Sequence, residues 1–238
     1  MIQIGEKTAP RRLKQGLKTI FEDEDLIIVE KPVGLLTVAT HHERERTAYA
    51  YLREYVKLHS SKQKLYIVHR LDKFVSGLLV FAKSEEIKAK LQAQFKEHSI
   101  QRKYWAIVEG RVQSARGTIR SLLAEDRSRR MHSTEDPSSG KVAITHYRVL
   151  SRLPHLTSLE VRLETGRKNQ IRAHLSEMGH PIIGDRAYGS GINPMRRMGL
   201  HAFCLGFKHP RDGRAILFKT EPPSEFTRYL PPSAKEHH

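Results

Sequence analysis

Apolar and polar positions alternate in short, bounded runs along most of the chain, and the period of each run predicts an element. Leu26 to Val29 is a β-rich run ended by Pro32 and Gly34, a strand entering a turn. Thr47 stands before Ala48, Tyr51, Leu52, Tyr55 and Val56, whose helical spacing predicts a capped helix to about Leu58. The apolar runs Leu65 to Val68 and Leu78 to Ala82 flank a polar segment that includes a Ser76-Gly77 turn signal. Ser84, Glu85 and Glu86 suit a helix start, and Ile87, Leu91 and Phe95 lie four apart on one face. That helix should cover the sheet that Leu78 to Ala82 joins.

Tyr104 to Val108 is again β-rich, is closed by Gly110, and places Tyr104, Ala106 and Val108 on one face. From Arg111 to Gly140 the alternation fades, and the breaker-rich AEDRSRRMHSTEDPSSG predicts a mobile loop or flap whose arginines can meet phosphate. Alternation returns over Val142 to Tyr147 and at Leu159, Val161 and Leu163, two strands. Gly166 breaks the second, and Ile171, Leu175 and Met178 form a helical stripe closed by Gly179 and Pro181. A loop from Gly184 to Gly199 leads to final strands at Leu200 to Phe207 and Ile216 to Lys219. No internal repeat or Gly/Ser linker interrupts this order. It predicts one α+β domain over residues 20–230, an extended basic arm at 1–19, and a tail at 231–238 whose His237-His238 carry no assigned meaning.

Charge adds a partner to this outline. Among 238 residues, 42 Lys and Arg against 26 Asp and Glu leave a net charge of +16, spread through Arg11-Arg12, Arg127 to Arg130, Arg162 to Arg172 and Arg196-Arg197. Such a footprint points to nucleic acid first and an anionic membrane second, with a merely soluble basic protein as the plain alternative. Cys204 is the sole cysteine, which excludes an internal disulfide and fits a reducing, cytoplasmic setting. The first twenty residues lack the apolar core of a signal peptide, and no run reaches the length that spans a bilayer. Gly-x-Gly-x-x-Gly after a strand, Gly-x-Ser-x-Gly, His-Glu-x-x-His and the P-loop order are all missing. His41-His42, His69, His174 and His180 show no metal-ligand spacing, so neither a metal nor an organic cofactor is indicated.

Four segments carry candidate chemistry. In Val68 to Lys83, His69, Arg70 and Asp72 fall within four residues, with Asp72 at a strand-to-turn junction. A carboxylate beside Arg70 stays ionised at neutral pH and can act as nucleophile or base; the same spacing also fits a turn-capping aspartate paired with arginine at the surface. Tyr104 follows Arg102-Lys103, suited to stack on a base or simply to pack in the sheet. In Leu163 to Leu175, Gly166 allows a sharp turn, and Arg167, Lys168 and Arg172 gather at a helix start that favours anions. Arg172 lies beside the buried stripe, within reach of a carboxylate on an adjacent strand, although a solvated basic helix end fits too. In Gly179 to Gly189, glycines and a proline fix a loop, with Asp185-Arg186 as a structural pair.

HRLD-x-x-x-SGLLVFAK resembles the signature of the RluA-type pseudouridine synthases, which isomerise uridine in ribosomal or transfer RNA. KP-x-G at Lys31 to Gly34, K-Y-x-A-x-V-x-G at Lys103 to Gly110, GK-x-A-x-T at Gly140 to Thr145, L-x-TGR-x-x-QIR-x-H at Leu163 to His174, GHPI-x-GD-x-x-YG and LHA at Leu200 follow in the family's order, from about Asp25 to Tyr229. The resemblance implies a pseudouridine synthase fold: a mixed, mainly antiparallel central sheet flanked by helices and loops, with a cleft across the sheet. It implies that Asp72 is the catalytic aspartate, Tyr104 the tyrosine packed on the target base, and Arg172 the arginine that pairs with the aspartate. Arg70 resembles the arginine that helps extrude the uridine. RNA contacts are expected from His69, Arg70, Lys103, Arg129, Arg130, Arg167 and Lys168. Phe74-Val75 and Asn169 depart from the family's usual residues and bear on substrate choice. The stretch before Asp25 is too short for the S4-type domain that many relatives carry, and a monomer without obligatory protein partner is expected.

The implied reaction cuts the ribose–uracil bond, turns the base and rejoins it through a ring carbon, without redox change or net hydrolysis, so it requires no cofactor. Asp72 either attacks the anomeric carbon or removes the neighbouring proton; both remain open. Two other classes fit less well. A non-catalytic RNA-binding or ribosome-assembly protein has no need of the Asp72, Tyr104 and Arg172 set, and a glycosidase-like hydrolase needs a second carboxylate in an equivalent motif.

Overall fold

Every residue of the strand Ser76–Ala82 is buried, and the first part of the chain is built around it. By its internal contacts the chain divides into two units, residues 1–101 with 204–220 and residues 102–203 with 221–238. The computed structural model describes residues 3–4, 11–59 and 62–232. The rest of the expected arm and tail, His237-His238 included, lies outside the described residues.

The first unit contains β1 (Gln3–Ile4), β2 (Lys18–Glu22), β3 (Leu26–Lys31), α1 (Ala48–His59), β4 (Tyr66–Ile67), β5 (Ser76–Ala82) and α2 (Glu85–Lys96). Strands β2, β3 and β5 are antiparallel neighbours, with Leu26 opposite Ala82 and Lys31 opposite Gly77, and β4 pairs with the end of β5. Ser76-Gly77 therefore opens the strand instead of turning the chain: Gly77 takes φ 119°, a value its missing Cβ allows. Thr47 caps α1 by accepting the Ala50 N–H at 3.0 Å, and Ser84 caps α2 by accepting the Ile87 N–H at 3.2 Å. Ile87 and Leu91 bury against Leu78, Val80 and Ala82 with Phe95 at the margin, the covering that the four-residue spacing predicts. The expected extended arm is not uniform where it is described. Gln3–Ile4 pairs in parallel with a late strand, residues 14–16 form a 3-10 turn, and Lys18 already belongs to β2.

The second unit contains β6 (Gln101–Glu109, of which Gln101 is counted with the first), β7 (Arg116–Glu125), β8 (Met131–Thr134), β9 (Lys141–Arg152), β10 (Leu156–Leu163) and α3 (Gln170–Glu177). Its strands run in the order β6-β10-β9-β7-β8, each antiparallel to the next. The expected mobile flap over Arg111 to Gly140 is thus largely a β-hairpin, with Leu122 opposite Thr134 and Glu125 opposite Met131. Composition hid it, because β7 alternates exposed and half-buried positions and offers little apolar signal before Leu123. Strand β11 (Leu200–Lys208) begins in this unit and passes into the first at Cys204, where it pairs with β12 (Ala215–Lys219). The α+β class and the mainly antiparallel pairing agree with the sequence.

Within the second unit, Trp105 stacks on Phe203 at 4.1 Å between ring centroids and on His201 at 5.8 Å. His201 has no exposed surface, and its pKa is pushed down to about 3, chiefly by burial, with Arg197 adding to the effect. Burial lowers the pKa of His174 as well. A histidine held below its unfolded value of 6.5 stabilises the fold fully above that pH, and the contribution is lost as pH falls toward the folded value. Conformational stability should therefore decline below pH 6.5, by up to about 1.4 kcal/mol per pH unit for each such histidine. Urea titrations from pH 7.5 to 4 check this, and His201→Phe should flatten the decline.

Candidate active site

Asp72 lies between β4 and β5, in a turn closed by the Val75 N–H donating to the Asp72 carbonyl at 3.1 Å. Both flanks of the turn are pinned. On one side the Thr37 hydroxyl donates to the Leu71 carbonyl at 2.7 Å and accepts from the Leu71 N–H at 3.1 Å. On the other, the Lys73 carbonyl accepts from the Gly34 N–H at 2.9 Å and from Lys31 Nζ at 3.3 Å. Lys31 has no exposed surface, and its ammonium also donates to the carbonyls of Leu35 at 2.8 Å and Pro32 at 3.1 Å. A buried ammonium needs acceptors in place of water. Here main-chain carbonyls supply them, and one belongs to the residue after Asp72. The Lys-Pro-x-Gly motif thus braces the aspartate's turn. The sequence carries a signal for this that the motif alone does not convey: Ile27, Val29 and Lys31 alternate onto one face of β3, so the lysine continues an apolar register.

Asp72 is half-buried, Lys73 and Phe74 are exposed, and Val75 is buried. Of the two departures before Ser76-Gly77, Val75 therefore packs inward, while Phe74 turns an aromatic ring to solvent beside the Lys73 ammonium, 5.5 Å from its centroid. Arg70 is exposed on the same segment. His69, expected to touch RNA, is half-buried and also has a structural contact. Its Nε2 accepts the Val80 N–H at 3.2 Å, and its ring lies 4.8 Å from that of Phe95.

In the second unit, Arg172 stands on α3 and is held from three directions. Asp185, its side chain 1% exposed, receives a two-pronged bond from Nε at 2.7 Å and Nη2 at 2.8 Å. Asn169 Oδ1 accepts from Nη1 at 3.1 Å, and the Tyr188 ring lies 4.6 Å from the guanidinium carbon. Asp185 therefore pairs with Arg172 and not with its neighbour Arg186, the partner that sequence proximity suggested. Asn169, a departure from the family, adopts φ 49°, a left-handed conformation that asparagine tolerates, and its Nδ2 donates to the Tyr188 hydroxyl at 3.2 Å.

The start of α3 is fixed by a buried polar network. Gln170 Nε2 donates to the Ile144 carbonyl at 3.0 Å and to Thr145 Oγ1 at 2.9 Å, and its Oε1 accepts from Thr165 Oγ1 at 2.8 Å and the Arg167 N–H at 2.9 Å. His174 lies within hydrogen-bond distance of Thr145 Oγ1 at 2.9 Å and Ser121 Oγ at 3.1 Å. Gly166 serves space and not a sharp turn. Its φ is ordinary, but an added Cβ would stand 2.5 Å from Arg102 Nη1, whose guanidinium reaches the carbonyls of Glu164 and Thr165.

Several of the cations expected to contact RNA lie in this unit. Lys168 Nζ binds Glu125 Oε1 at 2.6 Å and the Arg129 carbonyl at 2.9 Å, which brings Lys168, Arg129 and Arg130 to one exposed turn of the β7–β8 hairpin. Arg167 is exposed, with its Nε on the Val142 carbonyl at 2.9 Å. Lys103 is half-buried and 3.4 Å from Glu160, and Tyr104, 7% exposed, sits beside it on β6. The hairpin is docked on α3 and on the 3-10 turn Arg186–Tyr188: Glu177 accepts the Ser133 N–H at 2.6 Å, and the Tyr188 hydroxyl accepts the Met131 N–H at 2.9 Å. Among the described residues, Asp23, Asp25 and His209 have ligating atoms within 4.8 Å of one another. Arg211 already forks Asp25 and holds its carboxyl below the usual range, and His209 lies within hydrogen-bond distance of Asp23 at 2.9 Å, so these groups already have partners.

The sequence model of the RNA pseudouridylate synthase family matches residues 25–177, a span that includes Asp72, Tyr104 and Arg172. The chain is 37% identical to "Ribosomal large subunit pseudouridine synthase D" of Zymomonas mobilis, over 88% of this chain and 70% of that protein. It is 35% identical to the protein of the same name in Pseudomonas aeruginosa, over 88% and 69%. The solved structure "Human RNA Pseudouridylate Synthase Domain Containing 4" superposes with a TM-score of 0.73 at 23% identity, covering 87% of this chain and 88% of that one, which shows the shared fold. These matches define a pseudouridine-forming isomerase. The chain belongs to the RNA pseudouridylate synthase family, whose reaction converts uridine in RNA to pseudouridine.

Two substitutions test this framework. Lys31→Met keeps the length of the side chain but strands buried carbonyls, and should destabilise the fold by about 2–3 kcal/mol in urea unfolding. Asp185→Ala leaves the Arg172 guanidinium without its fork, and should cost about 3 kcal/mol by the same measurement together with a fall in isomerisation rate.

Proposed function

We propose that this enzyme isomerises uridine in large-subunit ribosomal RNA, with Asp72, Tyr104 and Arg172 as its catalytic residues and residues 20–230 as its catalytic domain. It works as a cytoplasmic monomer without metal, organic cofactor or protein partner. The observation that carries the assignment is the bracing of the Asp72 turn by Lys31, Gly34 and Thr37, inside the span that matches the family. A carboxylate that must act at a sugar carbon benefits from a fixed main chain, because misplacement by an ångström costs rate heavily.

A uridine stacked in a helix is out of reach, so the base is flipped at an unstacking cost of a few kcal/mol. Arg70, exposed on the Asp72 segment, offsets part of that cost by stacking in the vacated space. Asp72 acts ionised at the ribose, Tyr104 shields the base and takes part in the final proton loss, and Arg172 supplies the fixed positive charge of the reaction. Lys103, Arg129, Arg130, Arg167 and Lys168 bind phosphate, in keeping with the exposed turn that Lys168 and Arg129 share.

Asp72→Asn and Asp72→Ala should abolish pseudouridine formation while RNA affinity stays near that of the unmodified chain. Chemical labelling of pseudouridine in large-subunit RNA measures the first and filter binding the second; full turnover by either variant rejects the assignment.

A further inference from the structure

Along α1, Ala48, Leu52 and Val56 are buried, and the opposite stripe, Ala50, Arg53, Glu54 and Lys57, follows the spacing of one helix face. This stripe is one wall of an open groove of about 560 Å³, whose other walls are Lys14 and the segment Arg44 to Arg46. Its lining carries five cations, Lys14, Arg44, Arg46, Arg53 and Lys57, against the carboxylates of Glu45 and Glu54, and Tyr51 adds an aromatic ring. Lys14 is bound to Glu54 at 2.7 Å, and Arg46 to Glu43 at 2.7 Å. Among the described residues no carboxylate pairs with Arg44, Arg53 or Lys57 and no cation pairs with Glu45, so three unpaired cations against one unpaired carboxylate leave the groove net positive.

We propose that this groove holds the phosphodiester backbone of the substrate RNA and sets its register relative to Asp72. The inference rests on the proposed ribosomal RNA substrate. Arg53 and Lys57 on the α1 wall, with Arg44 on the facing segment, fit a chain of phosphates, and phosphate contacts fix position without reading sequence. The groove is also mechanically tied to the Asp72 turn within the same unit. The Ala48 N–H donates to the Leu36 carbonyl at 2.8 Å and the Tyr49 N–H to the Thr37 carbonyl at 3.1 Å, while the Thr37 hydroxyl binds Leu71. A backbone seated on α1 is therefore two hydrogen-bonded steps from the residue that precedes Asp72. None of these cations belongs to the set proposed to contact RNA at the hairpin or at α3.

The test uses the full chain carrying Asp72→Asn, so that RNA is bound without being converted, and large-subunit ribosomal RNA transcribed in vitro. Adding Arg53→Gln and Lys57→Gln together should raise Kd roughly tenfold and lower the slope of log affinity against log salt by about 1 for each phosphate that the groove no longer neutralises. Arg53→Lys with Lys57→Arg should keep the slope. Removing the same charge from α2, by Lys90→Gln with Lys96→Gln, should leave both values in place. An unchanged Kd and slope in the α1 variant overturns the proposal, and so does an equal loss from the α2 variant, which would reduce the effect to bulk charge. Turnover of the unmodified chain on the same RNA is measured separately, so a wrong substrate shows as absent pseudouridine and not as a failure of the groove.

Discussion

A lysine ammonium with no exposed surface, bonded to main-chain carbonyls of which one belongs to the residue after Asp72, is the constraint on which the first unit depends. Burying that charge is costly unless dipoles replace its water, and the carbonyls of the Lys-Pro-x-Gly turn and the Asp72 turn do so. Each turn therefore fixes the other. If the Asp72 turn moved, Lys31 would lose an acceptor, and if the proline turn relaxed, the Lys73 carbonyl would lose both the ammonium and the Gly34 N–H. Rigidity at Asp72 is thus obtained through its main chain, independently of whatever its carboxylate engages.

The second unit meets the same need by another route. Its cation, Arg172, is placed by an uncharged buried network and oriented by a charged fork. Gln170, Thr165 and Thr145 satisfy one another and anchor the first turn of α3 on β9, which fixes where the arginine begins. Asp185, Asn169 and Tyr188 then fix where it ends. The two-pronged bond to a buried carboxylate suits arginine over lysine, because the guanidinium presents parallel N–H donors on two separate nitrogens and an ammonium has only one nitrogen. Asn169 belongs to this arrangement and is no idle departure. Its left-handed backbone and its amide serve the arginine and the tyrosine together.

Much of this is readable in the sequence because it obeys local rules. Thr47 and Ser84 cap the helices they precede, the stripe of Ile87 and Leu91 covers β5, and glycine ends β6 at Gly110 with φ 76°. What is not readable depends on residues distant in the chain. The hairpin of β7 and β8 carries few apolar positions, and it is held by pairing with β9, by Glu177 of α3 and by Tyr188 in the turn beyond it. Asp185 binds a residue thirteen positions earlier and Lys31 one forty-two positions later, so no window along the sequence contains either pair. His69 and Gly166 escape a local reading for a related reason. Their intramolecular partners, Val80 and Arg102, arrive from other strands.

The charge of the chain divides along the same line between framework and ligand. Cations whose partners are carboxylates on neighbouring elements, such as Lys83 with Glu22 and Arg211 with Asp25, join strands and turns, and their field is largely cancelled where they stand. Where exposed arginines and lysines on one helix face or one hairpin turn outnumber the carboxylates beside them, the remainder leaves an uncancelled field that extends over roughly a Debye length of ~8–10 Å. A polyanion responds to that remainder and not to the total of +16. The composition therefore announces a nucleic acid partner correctly, yet only the pairing of each cation, seen in three dimensions, separates the charges that hold the enzyme together from those that can hold its substrate.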